Sequence, residues 1–177
     1  MRLFAFFMEI LPLVVFFIGY EWFGLFVAAG LSSGVGVIIL LHGWIAQHRV
    51  AFFPIFTVLL SATFTLIAII SGEETFIKIQ PTIFNGIFSF VLLVGVIRRI
   101  AVMKYFFGQQ FNLDNQTWMT LSLRWGIFFG FLAMANELAW RNLDSTGWVW
   151  VKTFVFAPLS GVFMLAQLPI TLRGRID

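Results

Sequence analysis

From Leu25 to Ile45 the chain carries no Asp, Glu, Lys or Arg, and only His42, near the end, breaks the run. A bilayer core about 30 Å thick, crossed by a helix rising about 1.5 Å per residue, takes roughly 20 such residues. Comparable apolar runs fall at residues 3–20, 52–70, 82–97, 118–140 and 148–172. A water-soluble domain of 177 residues has no interior able to hide six of them. The chain is 60% hydrophobic and 11% charged, against about a quarter charged in soluble domains. The expected fold is an all-α polytopic transmembrane helical bundle, a single integral membrane domain of five or six spans with short loops and no soluble domain.

The net charge of +3 is spread over the ends of the runs instead of gathered on one face, which argues against nucleic acid as a partner. Cysteine is absent, so disulfides, thiolate metal sites and cysteine nucleophiles are excluded together. Met1-Arg2 and the apolar run after it resemble a signal peptide. Glu9 and Pro12 interrupt its core, and no cleavage is expected.

Residues 73–85 separate the two apolar halves and read as a turn across the wet face of the membrane, with Glu73, Glu74 and Lys78 as its charges. Pro81 suits the first turn of the returning helix, where its missing N–H is not needed. Asn85, one turn on, falls at headgroup level. Residues 100–116 form the longest non-spanning stretch. With Arg98 and Arg99 just before it, it mixes Lys104 with Tyr105, Phe106, Phe107 and Phe111, as in a membrane-surface segment.

Lys and Arg near span ends gather on the cytoplasmic side. With alternating runs, Arg49, Arg98, Arg99, Lys104, Arg173 and Arg175 share one side, and Lys78, Arg141 and Lys152 the other. The first set, and with it the C-terminus, is expected to be cytoplasmic. Arg2 favours six crossings; the shortness of the first run and its Glu9 favour five. Trp22, Trp44, Trp118, Trp140, Trp148 and Trp150 lie near run ends, as an interfacial belt requires, and Trp125 lies about two turns in.

Gly30 with Gly34, and Gly126 with Gly130, are small-xxx-small pairs that let helices approach closely. Glu9, a carboxylate in an apolar run, is a functional candidate by default; its structural reading is a paired or protonated group holding a helix near its end. Asn136 and Glu137 could face a cavity, but Glu137 and Arg141 also have the spacing of an ordinary helix-surface ion pair. Arg124 is expected to snorkel to the headgroups. His42 and His48, six apart, lie on different helix faces and do not suit a shared metal. No metalloprotease, hydrolase or phosphate-loop motif occurs. Neither catalysis nor a cofactor nor a metal is expected.

Three segments carry a family likeness. They are Glu9-Ile10-Leu11-Pro12-Leu13; residues 74–85; and Trp118 through Leu123-Arg124-Trp125 to Asn136-Glu137-Leu138-Ala139-Trp140-Arg141. Ser145-Thr146, Trp150, Lys152 and Gln167-Leu168-Pro169 continue it. In these the chain resembles the intracellular septation protein A family over nearly its whole length. Gln80 departs from the Lys of many members, and residues 145–152 run one residue short, with Gly147 where an acid is common.

The resemblance implies a bacterial inner-membrane protein that supports cell-envelope integrity, septation and elongation by contacting other envelope and cell-division membrane proteins. It brings no catalytic residue or cofactor. Residues 73–78 and 98–111 are the expected contact surfaces, with membrane lipids as further partners and a homo-oligomer left open. The alternative reading is a small transporter or lipid-handling protein using Glu9, Asn85 and Glu137.

Overall fold

The computed structural model describes the backbone of residues 2–47, 52–108 and 111–176, and the side chains of 10–45, 54–108 and 111–176. Glu9 as a side chain, and His48 and Arg49 altogether, lie outside the described residues. The described chain is helical between turns: α1 (Arg2–Phe23), α2 (Leu25–Gln47), α3 (Phe52–Ser71), α4 (Thr75–Ile97), α5 (Val102–Phe107), α6 (Asn115–Asn142), α7 (Ser145–Val151), a π-helical segment (Lys152–Phe156), α8 (Ala157–Ala166) and α9 (Leu168–Arg173). Five stretches are long and apolar enough to cross a membrane: Leu25–Ile45, Pro54–Ser71, Thr75–Ile97, Asn115–Asn142 and Ser145–Arg173. The described apolar part of α1, Ile10–Phe23, is shorter than a span.

The chain divides into two compact units, Met1–Gln80 and Pro81–Asp177. In the first, α1 packs on α2 and α2 on α3. Gly24 ends α1 at φ +82, in the left-handed region where only glycine is unstrained, and its N–H bonds back to the Tyr20 carbonyl at 3.0 Å. A Cβ at Gly19 would stand 3.1 Å from the Ala28 Cα, so α1 and α2 meet nearly backbone to backbone. Ser33 joins α2 to α3 through the hydroxyls of Ser61 and Thr65, each at 3.1 Å. The small residues of α2 are therefore used, but not the pair the spacing singled out. Among the described residues, no atom lies within 4 Å of where a Cβ would stand at Gly30 or Gly34.

The turn between α3 and α4 is shorter than the charges suggested. Thr75–Gln80 is already helix, and Pro81 lies inside α4 beyond its first turn instead of opening it. The helix starts early because Lys78 pairs with Glu74 one turn back, at 2.8 Å, and because Ile77 is an apolar anchor almost fully buried.

In the second unit α4 and α6 run antiparallel. A Cβ at Gly126 would stand 2.9 Å from Leu93 Cδ2, one at Gly130 would stand 2.9 Å from Ser89 Oγ, and that hydroxyl donates to the Gly126 carbonyl at 2.8 Å. This second glycine pair is a packing face, as its spacing predicts. Phe163 of α8 stacks on Phe128 at 3.9 Å between centroids and meets Trp125 edge-on at 5.0 Å, which seats the last span on α6.

The last span departs from α-helical pairing where proline requires it. Pro158 cannot donate to the carbonyl one turn back, and the chain widens just before it, the Ala157 N–H reaching the Lys152 carbonyl. A second break falls at Gln167, ahead of Pro169. The tryptophan belt holds in part: Trp22, Trp44 and Trp150 are exposed, but Trp118 and Trp148 are buried in the protein. Position near a helix end does not show which way a ring faces, and these two rings turn inward.

Candidate functional site

Asp144 sets one end of the second unit. Its carboxylate accepts the Gly147 N–H at 2.8 Å, capping α7 and fixing Trp148 in the first turn. The indole of Trp148 is thereby driven against α6, where its Nε1–H donates to Asn136 Oδ1 at 3.0 Å. Asn136 Nδ2 donates in turn to Thr82 Oγ1 of α4 at 2.9 Å. The Thr82 hydroxyl also bonds the carboxylate of Glu137. That carboxylate accepts Trp140 Nε1 at 2.8 Å and Arg141 Nε at 2.6 Å. One connected chain of donors and acceptors thus ties α4, α6 and α7 together. Lys152, one turn after Trp148, holds its Nζ 4.9 Å from the Trp148 ring centroid, a cation–π contact.

Asn136 and Glu137 are therefore brought together, with Thr82, Trp148 and Lys152 added. Glu137 and Arg141 form the expected ion pair. Asn85, one turn beyond Thr82 on α4, is half-buried. Glu73, Glu74 and Lys78 belong to the other unit. Sequence spacing missed Thr82 and Trp148 because their partner lies on a distant helix. An Asp followed three residues later by a glycine N–H is the one local signal that Trp148 would be held.

The opposite end of the α4–α6 pair is basic. α4 closes with Arg99 in the left-handed region at φ 58, Ile100 N–H bonding the Gly95 carbonyl at 2.8 Å and Arg99 N–H the Val96 carbonyl at 3.0 Å. α5 then folds inward. Met103 is buried with Leu92, Ala101, Leu113, Trp118 and Leu121, and its N–H donates to Ser122 Oγ at 3.2 Å. Residues 100–116 are accordingly more than a surface segment: one face of α5 is core, and Lys104 and Tyr105 are left outside.

Asp114 caps α6, accepting Thr117 N–H at 2.8 Å and Thr117 Oγ1–H at 2.7 Å. These bonds, the Thr117 hydroxyl first, hold its carboxyl below the usual carboxylate range. The C-terminal tail lies along the same loop. Leu113 pairs with Arg175, Asp114 N–H reaches the Gly174 carbonyl at 2.9 Å, and Ile176 N–H reaches the Asn112 carbonyl at 2.9 Å. Arg98, Arg99, Lys104, Arg173 and Arg175 all fall at this end. Arg124 donates to Gln167 Oε1 at 3.3 Å, which joins α6 to the last span.

A sequence profile of intracellular septation protein A matches residues 4–175. The chain belongs to the intracellular septation protein A family. Similar proteins named inner membrane-spanning protein YciB include that of Mesorhizobium japonicum, 34% identical over 96% of this chain and 83% of that protein. That of Agrobacterium fabrum is 32% identical over 99% of this chain and 93% of that protein. No solved structure matches.

Membership in this septation family and the apolar helices make the chain a multi-pass protein of the inner membrane. Three of the stretches that carried the family likeness meet in this network: Thr82 from residues 74–85, Asn136, Glu137, Trp140 and Arg141 from the Trp118–Arg141 segment, and Lys152 from the continuation after it.

Proposed function

We propose that this septation-family protein is an inner-membrane scaffold that supports envelope integrity, septation and elongation by contacting other membrane proteins of the envelope and division machinery. Its C-terminus and the 98–111 loop face the cytoplasm, as the positive-inside bias of Arg98, Arg99, Lys104, Arg173 and Arg175 favours. The contact surfaces are this loop and the start of α4 around Glu73, Glu74 and Lys78.

The observation that supports the reading best is the network from Trp148 through Asn136 and Thr82 to Glu137. Of the groups that a transporter reading would use, Asn136 and Glu137 are engaged with Trp148 and Thr82. Such a network holds three helices in one arrangement, which suits a protein whose job is to present a fixed surface.

Photo-crosslinkers placed at Glu73 and at Tyr105 in living cells test this. The expected result is adducts with membrane proteins of septation or elongation, identified by mass spectrometry. Solute flux in proteoliposomes that vanishes on Glu9→Gln or Glu137→Gln, with insertion intact, would point instead to a transporter.

A further inference from the structure

We propose that the hollow between the end of α4 and α5 binds the phosphate of an anionic phospholipid headgroup. The hollow is a shallow, open one of about 670 Å³, lined by Arg99, Ile100, Lys104, Tyr105 and Asn115, among others. An open hollow of this kind suits a headgroup that stays in contact with the membrane surface. One cation stands on each wall, and a phenol and an amide add hydrogen-bonding groups.

The placement of Arg99 is the telling feature. It occupies a left-handed position at the end of α4, where glycine would be unstrained. The corresponding positions after α1 and α3 are indeed glycines, Gly24 at φ +82 and Gly72 at φ +71. An arginine held in this conformation is a reason to look for what its guanidinium does. Its backbone is tied on both sides by the bonds to Val96 and Gly95, and Gly95 lets Val102 close against α4. The cation thus projects from a fixed turn.

Lys104 is equally well set. Met103, its neighbour in α5, is anchored in the core and bonded to Ser122, so Lys104 and Tyr105 face outward, Tyr105 being 80% exposed. The nearest acid in sequence, Asp114, has both carboxylate oxygens engaged by Thr117. Around the hollow Ile97, Ile100 and Phe111 are exposed. A spanning helix ends here, so its cations sit at headgroup level beside apolar surface suited to acyl chains. That combination favours a lipid over a free anion. The inference rests on reading this loop as a membrane-facing contact surface.

The test uses full-length protein in neutral detergent, titrated with phosphatidylglycerol or phosphatidylcholine and read by native mass spectrometry. Wild type should retain phosphatidylglycerol in preference. Arg99→Gly and Lys104→Gln should each weaken that binding about fivefold, while Arg98→Gln, which removes an equal charge outside the lining, leaves it near the wild-type value. Arg99→Gly also relieves the left-handed strain, so its melting temperature in phosphatidylcholine should not fall, and lost binding cannot be lost folding. Equal weakening by Arg98→Gln would show a diffuse basic surface and overturn the site. Displacement of the lipid by inorganic phosphate would overturn the headgroup assignment. Neither result alters the crosslinks that test the scaffold reading, so the two can fail separately.

Discussion

Trp148 Nε1 donates to Asn136 Oδ1 at 3.0 Å, and the two residues are 0% and 1% exposed. An indole and an amide removed this completely from solvent depend on each other. The amide nitrogen donates in turn to Thr82, so both ends of the Asn136 side chain are engaged. Removing it takes away the acceptor of the buried Trp148 N–H, while the Thr82 hydroxyl keeps its bond to Glu137.

Asn136→Ala should therefore lower unfolding free energy by about 1–3 kcal/mol. Trp148→Phe, which keeps a ring and deletes the donor, should cost about 1 kcal/mol. The double variant should cost less than the sum, because both single changes remove the same bond. Reversible unfolding in mixed micelles measures all three, and strict additivity would show that the bond carries no energy.

The two glycine pairs should behave oppositely. Gly126→Ala and Gly130→Ala each push a methyl to within 2.9 Å of α4 atoms and should destabilise by about 1–3 kcal/mol. Gly30→Ala and Gly34→Ala meet nothing within 4 Å and should be neutral or slightly stabilising through helix propensity. Melting temperatures of the four variants, side by side, decide this.

Gly174→Ala should release the C-terminal tail. Its Cβ would collide with Thr117 Oγ1, the hydroxyl that donates to the capping carboxylate of Asp114, so the tail and the first turn of α6 cannot both stay in place. Faster cleavage by carboxypeptidase, with the spans still inserted, is the expected result; an unchanged rate would mean that the pairing of Leu113 with Arg175 is not what secures the tail.

The cap of α6 should depend on pH in one direction. The Asp114 carboxyl lies below its unfolded value, so its contribution is complete above about pH 4 and is lost as pH falls through the folded value. Amide exchange at Thr117 should quicken relative to its neighbours on acidification. In Asp114→Asn, which keeps an acceptor and cannot titrate, that dependence should disappear.

Much of this architecture could be read from residue order. Apolar run length locates the spans because a bilayer leaves few alternatives, and local spacing finds Glu137 with Arg141 and the packing face of Gly126 and Gly130. What could not be read depends on distant partners. Thr82 in a run of apolar residues looks like a hydroxyl bonding its own helix, and only α6 alongside makes it the acceptor for Asn136. Gly30 and Gly34 have the right spacing, yet Ser33, Ser61 and Thr65 set the contact with α3. Pro81 suits a helix start, but Glu74 and Lys78 begin the helix sooner.

If the protein works by presenting surfaces, changing a surface should matter more than neutralising an interior acid. Cells lacking the native protein, complemented with variants inserted at equal levels, compare the two directly through cell length and septum placement. We expect Tyr105→Ala combined with Lys104→Gln to leave cells long and poorly septated, while Glu137→Gln restores normal division. Restored division with the surface variant and failure with Glu137→Gln would contradict the scaffold account.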